Sequence, residues 1–217
     1  MRSSPDITPT VRSGTGASSS TYGNGGGVLP LPLLTVVTPC SRPENLPALE
    51  ASLTPGAAWF DIAWMVLSDH GQYPESVAGH AQRNRALDRI MDGWVYFLDD
   101  DNLMHPALFE RLYRRITRIP SWYLRGYGSV GETGRARGYI FSQELGAGQR
   151  VAAPENVTVN RIDTAQFLLW RGLIGDLRFA EDRYEADGIF IETLYSQSPQ
   201  SFEFIEEPLC YYNRLSS

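Results

Sequence analysis

Three consecutive carboxylates, Asp99-Asp100-Asp101, are the residues of this chain best suited to chemistry. They follow Trp94-Val95-Tyr96-Phe97-Leu98, an aromatic and β-branched run with the composition of a buried strand. Such a strand delivers the acids to its carboxyl end, where a sheet opens to solvent. Like charges this close raise one another's pKa unless a cation neutralises them. A hard divalent ion with oxygen ligands, magnesium or manganese, suits them and would also take phosphate oxygens as ligands. An exposed acidic turn that caps the next helix is the bland alternative. The triplet alone does not separate the two.

The elements around the triplet tilt the balance. Leu33 to Thr38 reads as a strand that Pro39 stops, followed by a loop at Cys40-Ser41-Arg42-Pro43. Leu46, Leu49 and Leu53 give a short helix over Glu44 to Leu53, broken by Pro55-Gly56. Phe60 to Leu67 is a second strand, Ala78 to Met91 a helix, and Pro106 to Ile116 a helix after the acids. The order β-α-β-α-β-α predicts an α/β fold with a Rossmann-like, mostly parallel sheet and flanking helices. In such sheets ligands bind beyond the carboxyl ends of the strands, and three strand ends here carry polar loops. The second half is less regular. Trp122 to Tyr127, Gly138 to Phe141, Val157 to Ile162 and Phe202 to Tyr212 read as strands, the last interrupted by Pro208. Asp163 or Thr164 can cap a helix through Arg171, and Gly188 to Tyr195 reads as a helix.

Composition bounds the classes. The 217 residues suit one domain, residues 28–217, after a Ser/Thr/Gly-rich leader over 1–27 too poor in apolar side chains to fold. The leader has no signal-peptide apolar segment, and Arg2 and Arg12 give it only a faint transit-peptide character. A net charge of −6 argues against a general nucleic-acid surface. No apolar run reaches membrane-span length. Cys40 and Cys210 are far apart in sequence, so a reducing, cytoplasmic setting is the simplest expectation.

Trp94 to Glu110 resembles the metal-binding region of nucleotide-sugar-dependent glycosyltransferases of the GT-A fold, with a family-two-like or family-forty-three-like flavour. The family hallmark is Asp-x-Asp at a strand end, met here by Asp99 and Asp101. Val36-Val37-Thr38-Pro39 resembles the first strand and its nucleotide-facing turn, Ser68-Asp69-His70-Gly71 the turn that meets the base, and Gln82-Arg83-Asn84-Arg85-Ala86-Leu87 the Ala-Arg-Asn helix beside the nucleotide. The resemblance covers roughly Leu33 to Arg115. It implies a UDP-sugar donor, a carbohydrate or other hydroxyl acceptor, and a divalent ion, manganese ahead of magnesium. Residues 28–117 would form the nucleotide-binding half and 118–217 the acceptor side. Asp101 and Asp99 would hold the ion, Asp101 more directly, and Asp100 would contact ribose or sugar or reach the ion through water. Thr38 and Pro39 would face the nucleotide, Asp69 would accept from the uracil imide, and Arg83 would meet a phosphate or fix the triplet.

Inverting relatives place their base at the start of a late helix. Asp187, in Asp187-Gly188-Ile189-Phe190-Ile191, fits best, with Glu185 and Asp182 as alternatives. The family pattern often reads Glu-Asp there, whereas Ala186 precedes Asp187 in this chain. His105 reads as structural at a helix start, His70 as a loop residue and His80 as a surface residue. Tyr212 and Arg214 are candidates for a phosphate contact. Two other classes fit the same elements: a nucleotidyltransferase, whose glycine-rich basic signature is missing after the first strand, and a non-catalytic nucleotide-sugar-binding module.

Overall fold

The computed structural model describes residues 9–10, 31–68, 77–117 and 136–215. Nine strands among these residues form one sheet: β1 (Pro9–Thr10), β2 (Leu33–Cys40), β3 (Asp61–Ser68), β4 (Trp94–Phe97), β5 (Leu103–Met104), β6 (Gly138–Leu145), β7 (Gly148–Arg150), β8 (Phe167–Trp170) and β9 (Phe202–Tyr211). Their order is β1-β3-β2-β4-β8-β6-β9-β5, with β7 paired to β6. The three longest ladders, β2 with β3, β6 with β9 and β2 with β4, are parallel. β8 runs antiparallel to both β4 and β6. The carboxyl ends of β2, β3, β4 and β9 therefore share one edge of the sheet with the residues that lead into β8.

Side-chain alternation explains the layering. Leu34 and Val36 of β2, with Trp94, Tyr96 and Leu98 in and after β4, pack against α1 (Leu46–Leu53) and α3 (Leu108–Ile116) through Leu49, Leu53, Phe109 and Leu112. Val37, Val95 and Phe97 face the other way. They meet α2 (His80–Leu87) and α5 (Ala186–Gln197) through Ala86, Leu87, Phe190, Ile191 and Leu194. The central strands β2 and β4 are thus buried on both faces, which is why they read as nearly continuous apolar runs. A one-turn helix, α4 (Arg171–Ile174), follows β8.

Several expectations needed correction. Pro39 does not stop its strand, which runs to Cys40 in register with β3. β4 pairs with β2 only as far as Val37, so the missing proline N–H costs no bond on that side. Val157 to Ile162 forms turns rather than a strand, with Asn160 at φ 66° breaking any extended run. The helix expected through Arg171 is a single 3-10 turn, Thr164–Gln166, and then β8. A four-residue apolar run reads either way, and pairing on both sides by β4 and β6 selects the strand. Pro9–Thr10, inside the stretch expected to lack structure, pair with β3. The predicted strand at Trp122 to Tyr127, Asp69 and His70 lie outside the described residues.

Candidate functional site

The Asp triplet emerges from β4 into an open cleft of about 690 Å³ at the shared sheet edge. Pro39, Cys40, Ser41 and Arg42 line it from the end of β2, Ser68 from β3, and Gly79, His80, Gln82 and Arg83 from the start of α2. Asp163 enters from the turn before β8, Tyr184 and Asp187 from the approach to α5, and Tyr212 and Asn213 from beyond β9. Topology produces this convergence, because each contributing segment ends or begins at the same edge.

Each acid has its own partner. Asp99 forms an ion pair with Arg83 and approaches the Thr164 hydroxyl at 3.4 Å. Arg83 is buried and also donates to the Ala78 carbonyl at 2.7 Å. Asp100 is buried and turned toward the first loop. Its Oδ2 accepts from the Ser41 N–H at 2.5 Å, the Ser41 hydroxyl at 3.0 Å and the Arg42 N–H at 2.6 Å, while Oδ1 accepts from the Arg42 guanidinium at 2.8 Å. The same guanidinium nitrogen donates to Asp101 Oδ2 at 2.7 Å. Burial and the neighbouring Asp99 push the Asp101 carboxyl up, and Arg42 opposes this. Asn102 is fully buried and ties the turn to the rest of the cleft, accepting from the Asn213 N–H at 2.8 Å and donating toward Asp163 at 3.5 Å.

Asp187 sits in the first turn of α5, where its Oδ1 accepts from the Gly188 N–H at 2.7 Å. Burial pushes its carboxyl up, while the Gly188 N–H and Arg83 pull it back. Gly188 sets the position of this turn. A Cβ there would lie 2.8 Å from the Val159 Cα, so a side chain would force the helix away. Before α2 Gly79, at φ 76°, packs so closely that a Cβ would stand 2.4 Å from the Pro39 Cβ.

Asp163 caps its 3-10 turn, accepting from the Ala165 N–H at 2.9 Å and from Gln143 at 3.2 Å, with Arg150 at 3.7 Å. Burial, then Asp99, push its carboxyl up to about 6. The native state therefore holds this proton more tightly than the unfolded chain, whose aspartates titrate near 4. The associated stability is fully present below about pH 4 and is lost as pH rises through about 6. Asp163→Asn is expected to melt above the wild type at pH 8, with the gap closing as pH falls through about 6 to below about 4. The difference has an upper limit of about 3 kcal/mol, readable from paired thermal melts.

Most of the residues singled out in the sequence meet here, with corrections. Thr38 does not face the cleft: it is fully buried, and its hydroxyl accepts from the Trp64 indole at 2.9 Å. Its turn still supplies Pro39 to the lining. His80 is no surface residue. It is buried and stacked on Phe179 at 5.7 Å, and burial and Arg83 bring its pKa down to about 4. His105 accepts from the Ala107 N–H at 3.1 Å, a structural contact at the start of α3. Glu185 and Asp182 are exposed and outside the lining, so Asp187 is the acid of that segment brought to the cleft. Arg214 stacks on Tyr211 at 5.5 Å and lines a neighbouring pocket. Sequence reasoning gave Arg42 little weight and passed over Gln82, Asn102 and Tyr184. Gln82 inside the Arg83 segment, Asn102 directly after the triplet and Arg42 in the loop after the first strand were the signals that could have found three of them.

The lining holds Asp99, Asp100, Asp101, Asp163 and Asp187 against Arg42 and Arg83, five formal negative charges against two positive among the described residues. No three His, Cys, Asp or Glu side chains among the described residues could hold a metal ion by themselves. An ion between Asp99 and Asp101 would have to complete its shell with ligand oxygens or water, the usual habit of magnesium-type sites in phosphate-binding proteins. Both cysteines are free, and no helix among the described residues is long and apolar enough to cross a membrane.

The mixed α/β sheet with helices on both faces is a fold shared with solved structures. The chain is similar to S. aureus TarS. It matches TarS 1–349 in complex with UDP-GlcNAc with a TM-score of 0.56 at 13% identity, covering 84% of this chain and 58% of that one. It matches TarS 1–349 in complex with UDP with a TM-score of 0.54 at 12% identity, covering 83% and 60%. The chain thus spans less than two thirds of those TarS structures, and at this identity the likeness is one of fold. No family model matches the sequence, and no curated protein matches it.

Proposed function

We propose that this chain is a glycosyltransferase of the GT-A type that moves a sugar from a UDP-sugar to an acceptor hydroxyl with inversion, assisted by manganese or, less well, magnesium. The observation that carries this reading is the excess of carboxylate in the cleft, at the strand ends of a fold shared with a protein solved with UDP and UDP-GlcNAc. A diphosphate is itself anionic, so a cleft with this charge accepts one only together with a cation. Asp101 and Asp99 are the residues that would hold the ion, and when bound it would offset charge developing on the leaving diphosphate.

The chain's own groups divide the remaining work. Arg83 orients Asp99, and Asp100 orients the loop that carries Arg42. Pro39 and the start of α2 wall the nucleotide. The acceptor oxygen attacks the anomeric carbon, the bond from that carbon to the diphosphate oxygen breaks, and Asp187 takes the hydroxyl proton. Burial strengthens Asp187 as a base by raising its affinity for that proton. In this reading residues 28–117 serve the donor and 118–217 the acceptor.

Calorimetry tests the donor half. UDP-GlcNAc or another UDP-sugar is expected to bind about tenfold or more tightly with manganese than with a chelator present, and Asp101→Ala is expected to remove that gain. Failure of every UDP-sugar to bind in manganese would overturn the proposal. A thermal-shift screen of nucleotide-sugars ranks the donors, since a bound ligand stabilises by mass action.

A further inference from the structure

Among the described residues, three buried side-chain atoms have no hydrogen-bond partner: His80 Nε2, Gln82 Oε1 and Arg83 Nε. All belong to the first turn of α2, which lines the cleft. Two of the three residues are engaged through other atoms. Arg83 holds Asp99 and the Ala78 carbonyl, and the His80 ring stacks on Phe179 beside the backbone of Arg183 and Tyr184. Gln82 differs. It lines the cleft at 5% exposure, and its carbonyl oxygen, an acceptor only, is buried without a partner, so the amide meets a ligand by turning about its last side-chain torsion. A buried carbonyl without a partner destabilises the protein that carries it, unless something that enters the cleft supplies the missing hydrogen.

We propose that Gln82 is a donor-binding residue whose Oε1 accepts a hydrogen bond from an N–H or O–H of the bound nucleotide-sugar. This rests on the reading of the chain as a UDP-sugar transferase. The chemistry suits the place. The other acceptors lining the cleft include five carboxylates, and a further charge would add to the repulsion of a diphosphate. A neutral amide reads a hydrogen on the ligand without that cost. The uracil imide N–H and a sugar hydroxyl both offer one, and ligands with and without the sugar tell them apart.

Gln82→Leu removes the acceptor and keeps most of the volume; Gln82→Met is the second variant. Wild type and variants are compared in manganese, by calorimetry with UDP and with UDP-GlcNAc and by thermal melts without ligand. The unliganded variant is expected to melt about 2–4 °C above the wild type, because an unsatisfied buried group has gone. Its affinity for UDP-GlcNAc is expected to fall about tenfold. An equal loss for UDP places the bond on the nucleotide, and a loss confined to UDP-GlcNAc places it on the sugar; both support the proposal. Unchanged affinity for both ligands in two folded variants overturns it. Wild type that binds neither ligand defeats the transferase reading itself, and this inference with it.

Discussion

Asp187→Asn is expected to lower sugar transfer by about 10²–10⁴-fold while UDP-sugar affinity stays within about twofold. The reason is the division of the cleft. The donor would be gripped by the acids after β4 and the loop after β2, and Asp187 reaches the same cleft from a separate element, α5. Asparagine keeps the size and the acceptor for the Gly188 N–H, so the helix start is preserved. It cannot take a proton from an acceptor hydroxyl. The pH profile provides a second readout. The folded-state pKa of Asp187 is raised, so wild-type turnover falls as acid protonates it, and the residual turnover of the variant lacks that limb. Without an acceptor in hand, slow hydrolysis of the donor by water reports the same step. Undiminished turnover would place the base elsewhere. Retention of anomeric configuration, read by proton NMR of the product, would remove the need for one.

The architecture of the first half was legible because each of its elements obeys a local rule. β2 and β4 are buried on both faces and so appear as apolar runs, and α3 shows its buried face through Leu108, Phe109 and Leu112. The Asp triplet is conspicuous because three adjacent acids after such a run have few structural uses. Legibility failed where pairing is long-range. Phe167–Trp170 became a strand only because β4 and β6 sit on either side of it, and Leu103–Met104 pairs with β9 more than a hundred residues later. Individual roles were hidden for a related reason. The sequence places Thr38 beside the nucleotide turn, yet the Trp64 indole, 26 residues on, claims its hydroxyl. His80 looked like a surface residue because its stacking partner, Phe179, lies 99 positions away.

The same logic singles out Asp100, the middle acid, as the one whose loss is felt first in folding. Asp100→Ala is expected to destabilise the protein by about 2–4 kcal/mol, a fall of about 5–12 °C in the thermal midpoint. Its carboxylate gathers two backbone N–H groups, a hydroxyl and a guanidinium from Ser41 and Arg42, so one side chain fixes the loop after β2 against the turn after β4. Bonds to a charged acceptor are worth more than neutral ones. Ser41 and Arg42 are exposed, however, so water recovers part of the loss and keeps the effect below the sum of four such bonds. A second consequence concerns Asp101. Arg42 is shared between Asp100 and Asp101, and without Asp100 it pairs with Asp101 alone. A cation would then compete with a guanidinium for that oxygen, so manganese-dependent donor binding is expected to weaken although Asp100 need not touch the ion. Adding Arg42→Ala to Asp100→Ala should return manganese sensitivity without returning the melting temperature. If the single variant melts with the wild type and binds donor equally well, the loop is held by something other than this carboxylate.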